Sequence, residues 1–196
     1  GGDILSLYDI EFLNSAPTTY TKSATQNFDG ITVYYYNQNV NSIAFVTDGA
    51  FIAEDNVKFN LSNLNSIQFN GLFSTKNMTN MGSMFNATYN TRADSLDLTG
   101  FTSENVTNFK YMFATCRGLK TLKMPDLTFK AGADYTGIFG ETWTLSSIYL
   151  PNNIENGVSI ELFNLDPAGS ANKVWYVEGE EDTIITHITS DLAGKH

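Results

Sequence analysis

A single cysteine, Cys116, excludes an internal disulfide and with it the class of small scaffolds stapled by sulfur. Histidine is nearly as scarce: His187 and His196 are the only two, and neither has a partner at the spacing of a metal or catalytic centre. Basic residues number 11 against 21 acidic ones, giving a formal net charge of −10. Phosphate recognition needs clustered Lys and Arg and none is seen, which excludes nucleic acid as a partner and disfavours an anionic lipid surface. No apolar run approaches the roughly 18 residues of a spanning helix, so no membrane insertion is expected. The first residues, Gly1, Gly2 and Asp3, carry neither the basic nor the apolar region of a signal peptide. A mature form would look the same, so this has no bearing on export.

Charged residues make up only 16% of the chain. Much of its polarity therefore comes from Asn, Thr and Ser, which suit tight turns because they hydrogen-bond their own backbone. Hydrophobic content of 42% is that of an ordinary globular protein.

What is present is a repeat. "NMTNMGSMF" at 77–85 returns as "NVTNFKYMF" at 105–113, each after a short alternating piece, "SIQF" at 66–69 and "SLDL" at 95–98. Extended in both directions, the first apolar residue of each alternating piece falls at Ile43, Ile67, Leu96, Leu122, Ile148 and Val174, in steps of 24, 29, 26, 26 and 26 residues. The second keeps pace as Phe45, Phe69, Leu98, Met124, Leu150 and Tyr176, and a second pair recurs as Met84-Phe85, Met112-Phe113 and Ile138-Phe139. Such steps lie in the leucine-rich-repeat range. Within one unit Leu96 and Leu98 face inward and Asp97 outward, as in a strand. Val106, Phe109, Met112 and Phe113 then follow at three- and four-residue spacing, which predicts one face of a helical turn. A lone unit cannot bury its apolar face, so stacking supplies the core. Cys116 lies three residues after Phe113, where the neighbouring units hold Thr88 and Thr142; the slot reads as a packed turn position and not as a reactive thiol.

The segment "SLDLTGFTSENVTNFKYMFATCRGLKTL" at 95–122 closely resembles the BspA-like leucine-rich repeats of bacterial surface proteins. "FNGLFSTKNMTNMGSMF" at 69–85 resembles another such unit, and "VNSIAF" at 40–45 the strand that opens the series; the resemblance covers 41–150. In the third unit, "FKAGADYTGIF" keeps the length and loses the Val-Thr-Asn signature. The resemblance implies a secreted or surface-anchored bacterial protein, adhesin-like, that contacts host or neighbouring-cell protein or glycan. It implies core roles for Leu96, Leu98, Phe101, Val106, Phe109, Met112, Phe113 and Leu119, and it brings no catalytic residues.

The ends read as caps. "GITVYYYNQ" at 30–38 and "SIAFVT" at 42–47 favour strands through their aromatic and β-branched residues, and a small sheet there would close the first edge of the stack. After "KVWYV" at 173–177, Ile184, Ile188 and Leu192 lie four apart, with Glu180, Glu181 and Asp182 where a helix N-terminus welcomes negative charge. A capping helix is expected, with a hairpin strand as the competing reading because "TIITHIT" is β-branched. The expected fold class is thus α/β: a leucine-rich-repeat solenoid of short parallel strands alternating with helical turns. It has a β-rich N-terminal cap over 1–40, the solenoid over 41–177 and a C-terminal cap over 178–196, all in one cooperative domain.

The acidic run "EGEED" at 178–182 has the composition of a hard-cation site, but reads more simply as a solvated turn leading into a helix. Phosphate loops, G-x-S-x-G elbows and H-E-x-x-H motifs are all missing, so no enzyme, catalytic residue, metal or cofactor is expected. Candidate contact residues are the outward side chains of the strands: Ala44, Gln68, Asp97, Lys123, Tyr149 and Trp175. In a parallel stack these form a row at steps of roughly 4.8 Å. Asp97 and Lys123 are expected as an exposed ion pair. Tyr149 and Trp175, side by side, are expected either as an aromatic contact site able to stack on a sugar or as a small second core under a cap. Gln68, Asp97, Lys123, Tyr149 and Trp175 are therefore the residues to follow. The leading function is a non-enzymatic binding module outside a bacterial cell, its oligomeric state open with a monomer favoured; the alternative is an assembly subunit pairing through exposed edges or caps.

Overall fold

The computed structural model describes residues 18–20, 32–35, 42–46, 51–53, 55, 59, 61, 66–87, 91–162 and 174–196. Its elements are short strands: β1 (Thr18–Tyr20), β2 (Thr32–Tyr35), β3 (Ser42–Val46), β4 (Phe51–Ile52), β5 (Ser66–Gln68), β6 (Phe73–Ser74), β7 (Ser95–Asp97), β8 (Thr121–Lys123), β9 (Thr128–Phe129), β10 (Ser147–Tyr149), β11 (Asn153–Ile154), β12 (Ile160–Glu161) and β13 (His187–Ile188). One 3-10 turn, Ser190–Leu192, completes them, and no α-helix occurs among the described residues. None of these elements is a helix long and apolar enough to cross a membrane.

Parallel pairing links residues about one repeat apart. Leu96 of β7 lies opposite Leu122 of β8, and Leu122 opposite Ile148 of β10. Ile43 of β3 lies opposite Ile67 of β5, while β2 joins β3, and β1 joins β2, in antiparallel fashion. Among the described residues no ladder joins β5 to β7, the place of the 29-residue step. Two shorter parallel pairs, β4 with β6 and β9 with β11, run along a second side of the coils. Beside them hydroxyls complete the links: Ser103 Oγ donates to the Thr128 carbonyl and accepts from the Thr128 N–H, both at 2.7 Å. The side-chain environments of Tyr34, Tyr35 and Tyr36, and the Thr88 slot, fall outside the described residues.

The expected helical turns are absent, and the backbone shows why. Ser83, Tyr111 and Gly137, each two residues before a Phe, have φ of 57°, 57° and 59°; Thr115 and Glu141, each two residues after one, have 55° and 57°. A right-handed helix cannot contain left-handed residues at that frequency. Backbone N–H groups instead divide between two uses. Those of Met81, Ser83, Phe85 and Ala87 donate to the carbonyls of Asn108, Lys110, Met112 and Ala114 in the next coil. Phe109, Tyr111, Phe113 and Thr115 donate likewise to Asp134, Thr136, Ile138 and Gly140. Residues between them close local turns, as Met112 does on the Phe109 carbonyl at 3.1 Å. The α/β expectation of strands alternating with helical turns is therefore corrected: both halves of a coil are extended or turning chain, joined to the next coil through the backbone.

Asparagine sets up this run. Asn80, Asn108 and Asp134 bridge one another in parallel, and each side-chain oxygen accepts the N–H two residues on, at Gly82, Lys110 and Thr136, over 2.7, 2.8 and 2.9 Å. Such Asx turns are what short polar side chains do best. Asp134 takes the place of Asn in the third unit, so the lost Val-Thr-Asn signature costs no turn.

Apolar residues of the turn run point inward. Phe59, Phe85, Phe113 and Phe139 stack as a spine, with ring centroids 5.3, 5.8 and 5.8 Å apart and planes within 12° of parallel. Leu96, Leu98, Phe101, Val106, Phe109, Met112, Phe113 and Leu119 are all fully buried. At the Cys116 slot a buried polar hydrogen is consumed by the preceding coil: Cys116 Sγ donates to the Phe85 carbonyl at 3.1 Å, and Thr142 Oγ1 to that of Phe113 at 2.5 Å.

The expected capping helix is also corrected. Ile188 is buried in β13, which pairs antiparallel with β12, and Ile185 bridges Trp175 in antiparallel fashion, while Ile184 is 62% exposed. β-Branched side chains favour this extended path, and β12 offers it an edge to pair with. The last anchor changes too. Val174 and Tyr176, expected inside, are 52% and 48% exposed, whereas Trp175 and Val177 turn inward. A one-residue slip of a strand exchanges its faces.

Two outcomes test this architecture. Phe113→Ala opens a cavity in the middle of the spine and should cost about 3–5 kcal/mol in urea unfolding. Acid should also destabilise the stack. Asp55 is partly buried, which raises its pKa, but bonds from the Thr79 hydroxyl and the Thr79 and Asn80 N–H groups outweigh that and hold it below its ordinary value; bonds from Thr136, and Lys110 nearby, do the same for Asp134. A carboxyl depressed in the fold contributes stability above its unfolded pKa and loses it as pH falls. Thermal midpoints should therefore drop below about pH 4, and Asp55→Asn should flatten that drop.

Candidate functional site

The described surface has its most developed side-chain cluster at the last strand of the stack. In β10 alternation buries Ile148 and turns Ser147 and Tyr149 outward. Among the described residues no ladder joins 174–177 to β10, where a parallel strand was expected. The tail formed by residues 194–196 lies beside the end of β10: the Leu150 N–H donates to the Lys195 carbonyl at 3.0 Å, and the Gly194 N–H to the Pro151 carbonyl at 2.7 Å.

His196 is thereby laid over the outward face of β10. Its ring stacks on Tyr149 with centroids 3.8 Å apart and planes 7° from parallel. Its Nε2 lies 2.6 Å from Ser147 Oγ, and its Nδ1 lies 2.8 Å from Glu178 Oε2. A carboxylate only accepts, so the proton between Glu178 and the ring sits on Nδ1, and in the neutral ring Nε2 accepts from the Ser147 hydroxyl. The Glu178 N–H closes the arrangement by donating to the His196 carbonyl at 2.8 Å.

Two residues of the acidic run 178–182, Glu178 and Glu180, are thus spent on residues 195 and 196. Besides Glu178 on His196, Glu180 Oε1 lies 3.4 Å from Lys195 Nζ, and Glu181 accepts the Gly179 N–H at 3.0 Å. No group of three His, Cys, Asp or Glu side chains among the described residues is placed to hold a metal ion. Under the tail lies a cavity of about 380 Å³, lined by Ser147, Ile148, Leu150, Trp175, Ile185 and His196 among others.

The residues expected to form a row divide. Asp97, Lys123 and Tyr149 are in register on β7, β8 and β10, and Gln68 is exposed on β5 opposite Ala44. Asp97 and Lys123 do not form the expected ion pair: Asp97 Oδ1 accepts from the Thr99 N–H and hydroxyl at 3.0 and 2.6 Å, and Lys123 Nζ sits 4.8 Å from the centre of the Tyr149 ring. Tyr149 thus has both that ammonium from β8 and the His196 imidazole against its ring. Trp175 packs partly buried against the core and bridges Ile185. The ring on Tyr149 is therefore His196, where Trp175 was expected.

Ser147, Glu178 and His196 were not legible as a set. They stand 31 and 18 residues apart along the chain, and Ser147 holds a strand position that Ser66, Ser95 and Thr121 also hold. The one cysteine is no rival nucleophile, because burial pushes the Cys116 thiol up to about 12. A further surface pair, Arg117 stacked 3.7 Å from the centre of the Trp143 ring and ion-paired with Glu141, lies on another part of the coils.

Separate truncations should distinguish the two aromatics. Trp175→Ala should cost about 2 kcal/mol or more in urea unfolding because it leaves a hole beside the core. Tyr149→Ala should cost under about 1 kcal/mol, as a surface substitution. The chain matches no family model, no curated protein and no solved structure to which it was compared.

Proposed function

We propose that this chain is a binding module of a secreted or surface-displayed bacterial protein, adhesin-like, contacting host or neighbouring-cell protein or glycan along the outward face of its parallel strands. The observation that carries this reading is the in-register row Asp97, Lys123 and Tyr149 on β7, β8 and β10. Three chemically different side chains stand one strand apart on an exposed face, held by a backbone that is tied coil to coil. A surface so fixed loses little side-chain or loop freedom when a partner docks. Tyr149 and Lys123 already hold each other, so the row meets a partner in a set geometry. The resemblance of 95–122 to repeats of bacterial surface proteins supports the extracellular setting, and the net charge of −10 is in keeping with a partner other than nucleic acid.

A host-protein and glycan array tests the proposal. At least one class of ligand should bind, and the double variant Lys123→Ala, Tyr149→Ala should weaken that binding tenfold or more, about 1.4 kcal/mol, with Gln68→Ala as a milder change on β5. An array without a binder, or a double variant that binds as well as the parent, would overturn it. Solution size then separates this reading from assembly, since a binder that stays monomeric leaves no role for pairing through edges.

A further inference from the structure

Three side chains at the end of the stack stand in the order that a serine nucleophile requires. Ser147 Oγ is 2.6 Å from His196 Nε2, and His196 Nδ1 is 2.8 Å from Glu178 Oε2. Both separations lie within the reach of about 2.6–3.2 Å that joins a nucleophile to its base and the base to its orienting group. We propose that Ser147 is a nucleophile activated by His196 as general base, with Glu178 as a positioning residue, and that it accepts the acyl group of a small ester. This goes beyond the binding reading and does not rest on it.

The surroundings favour the assignment. Roles are set by atom, not merely by proximity: Ser147 faces Nε2 and the carboxylate faces Nδ1, which leaves the Nε2 lone pair pointing at the hydroxyl proton. The imidazole cannot swing freely, because Tyr149 lies flat on it and the tail is tied by backbone bonds at Gly194, Lys195 and His196. Ser147 and His196 form part of the wall of the cavity of about 380 Å³, together with Ile148, Leu150, Trp175 and Ile185. That volume lies near the lower end of the range for ligand pockets, about 300–1,000 Å³, and the apolar part of its wall suits a short acyl chain, while Glu178, Glu181 and Lys195 also line it. Glu178 stands mostly in water, so screening weakens its charge, and its role is to orient the ring more than to drive the reaction.

The step balances without a further reactant. Ser147 Oγ bonds to the ester carbonyl carbon as its proton passes to His196 Nε2. The imidazolium, still bonded to Glu178, gives that proton to the departing oxygen, and the alcohol leaves with the acyl group on Ser147. Water, losing a proton to His196, then attacks the acyl carbon; the carboxylic acid departs and the proton returns to Ser147 Oγ.

A fluorophosphonate with a short alkyl chain tests this directly, since it needs the same attack and leaves a stable P–O bond as fluoride departs. Peptide mass mapping of the wild-type protein should place the adduct on Ser147. Ser95 holds the same ladder position on β7 and serves as the internal control. Labelling should fall about 100-fold in Ser147→Ala and in His196→Ala, the lower end of what general-base assistance supplies, and should not change in Ser95→Ala. In Glu178→Gln the limiting labelling rate should fall about tenfold with the half-saturating probe concentration unchanged, a split that mere loosening of the tail would not produce. Hydrolysis of p-nitrophenyl acetate should follow the same order. No adduct on Ser147 in the wild-type protein, or equal labelling of Ser147 and Ser95, would overturn the proposal, and neither result depends on any variant folding.

Discussion

The turn runs at 80–87 and 108–115 divide their backbone hydrogen bonds between themselves and the next coil. At Met81, Ser83, Phe85 and Ala87, and again at Phe109, Tyr111, Phe113 and Thr115, the N–H goes to the next coil, while residues between close turns on their own coil. A helix would keep all of these bonds inside one coil and leave side-chain packing alone to join the stack. Here the two kinds of bond alternate, and the left-handed residues near each Phe are the geometric condition for that alternation. The strain of placing Tyr111 there, of the order of 1 kcal/mol, is offset by the inter-coil bonds that follow from it. Gly137 occupies the equivalent position in the next coil, where an added Cβ would come within 2.4 Å of the Tyr111 ring.

From that constraint the rest follows. Coils tied at backbone spacing bring equivalent side chains into register, so the Phe residues stack face to face and the Asn and Asp residues line up as successive Asx turns. The buried Cys116 thiol and Thr142 hydroxyl have fixed carbonyls to meet in the preceding coil, and the Ser103 hydroxyl one in the following coil, which satisfies polar groups that would otherwise be costly inside. The outward row on β7, β8 and β10 is displayed by the same registration. Just past β10, residues 194–196 bond to Leu150 and Pro151, and that closure brings Glu178, His196 and Ser147 together.

Much of the repeat was legible. The anchors Leu96, Leu122 and Ile148 pair in the expected register, because inward-facing positions must be apolar in every coil and so leave a periodic trace. The turn run departs from the helix its spacing predicts for a physical reason. Val106, Phe109, Met112 and Phe113 show helical spacing, but a tight run of turns also brings residues three and four apart to one side. What separates the two is the sign of φ at Ser83 and Tyr111, and neither side chain announces a left-handed backbone as glycine would. At 173–177 the alternating pattern Val174, Trp175, Tyr176, Val177 is apolar in both phases, so the sequence offered no way to choose which face turned inward.

Local chemistry that recurs in every coil is what the chain determined by itself: the repeat length, the inward anchors, the Asx turns and the burial of the Phe residues. Each depends on neighbours one coil away doing the same thing, and repetition writes that into the sequence. Only tertiary structure decided how the stack ends. Ser147 meets His196 across 49 residues and Glu178 meets it across 18, in a contact made once and never repeated. A contact made once leaves no period, and its partners are chosen by which backbone edge the tail finds open.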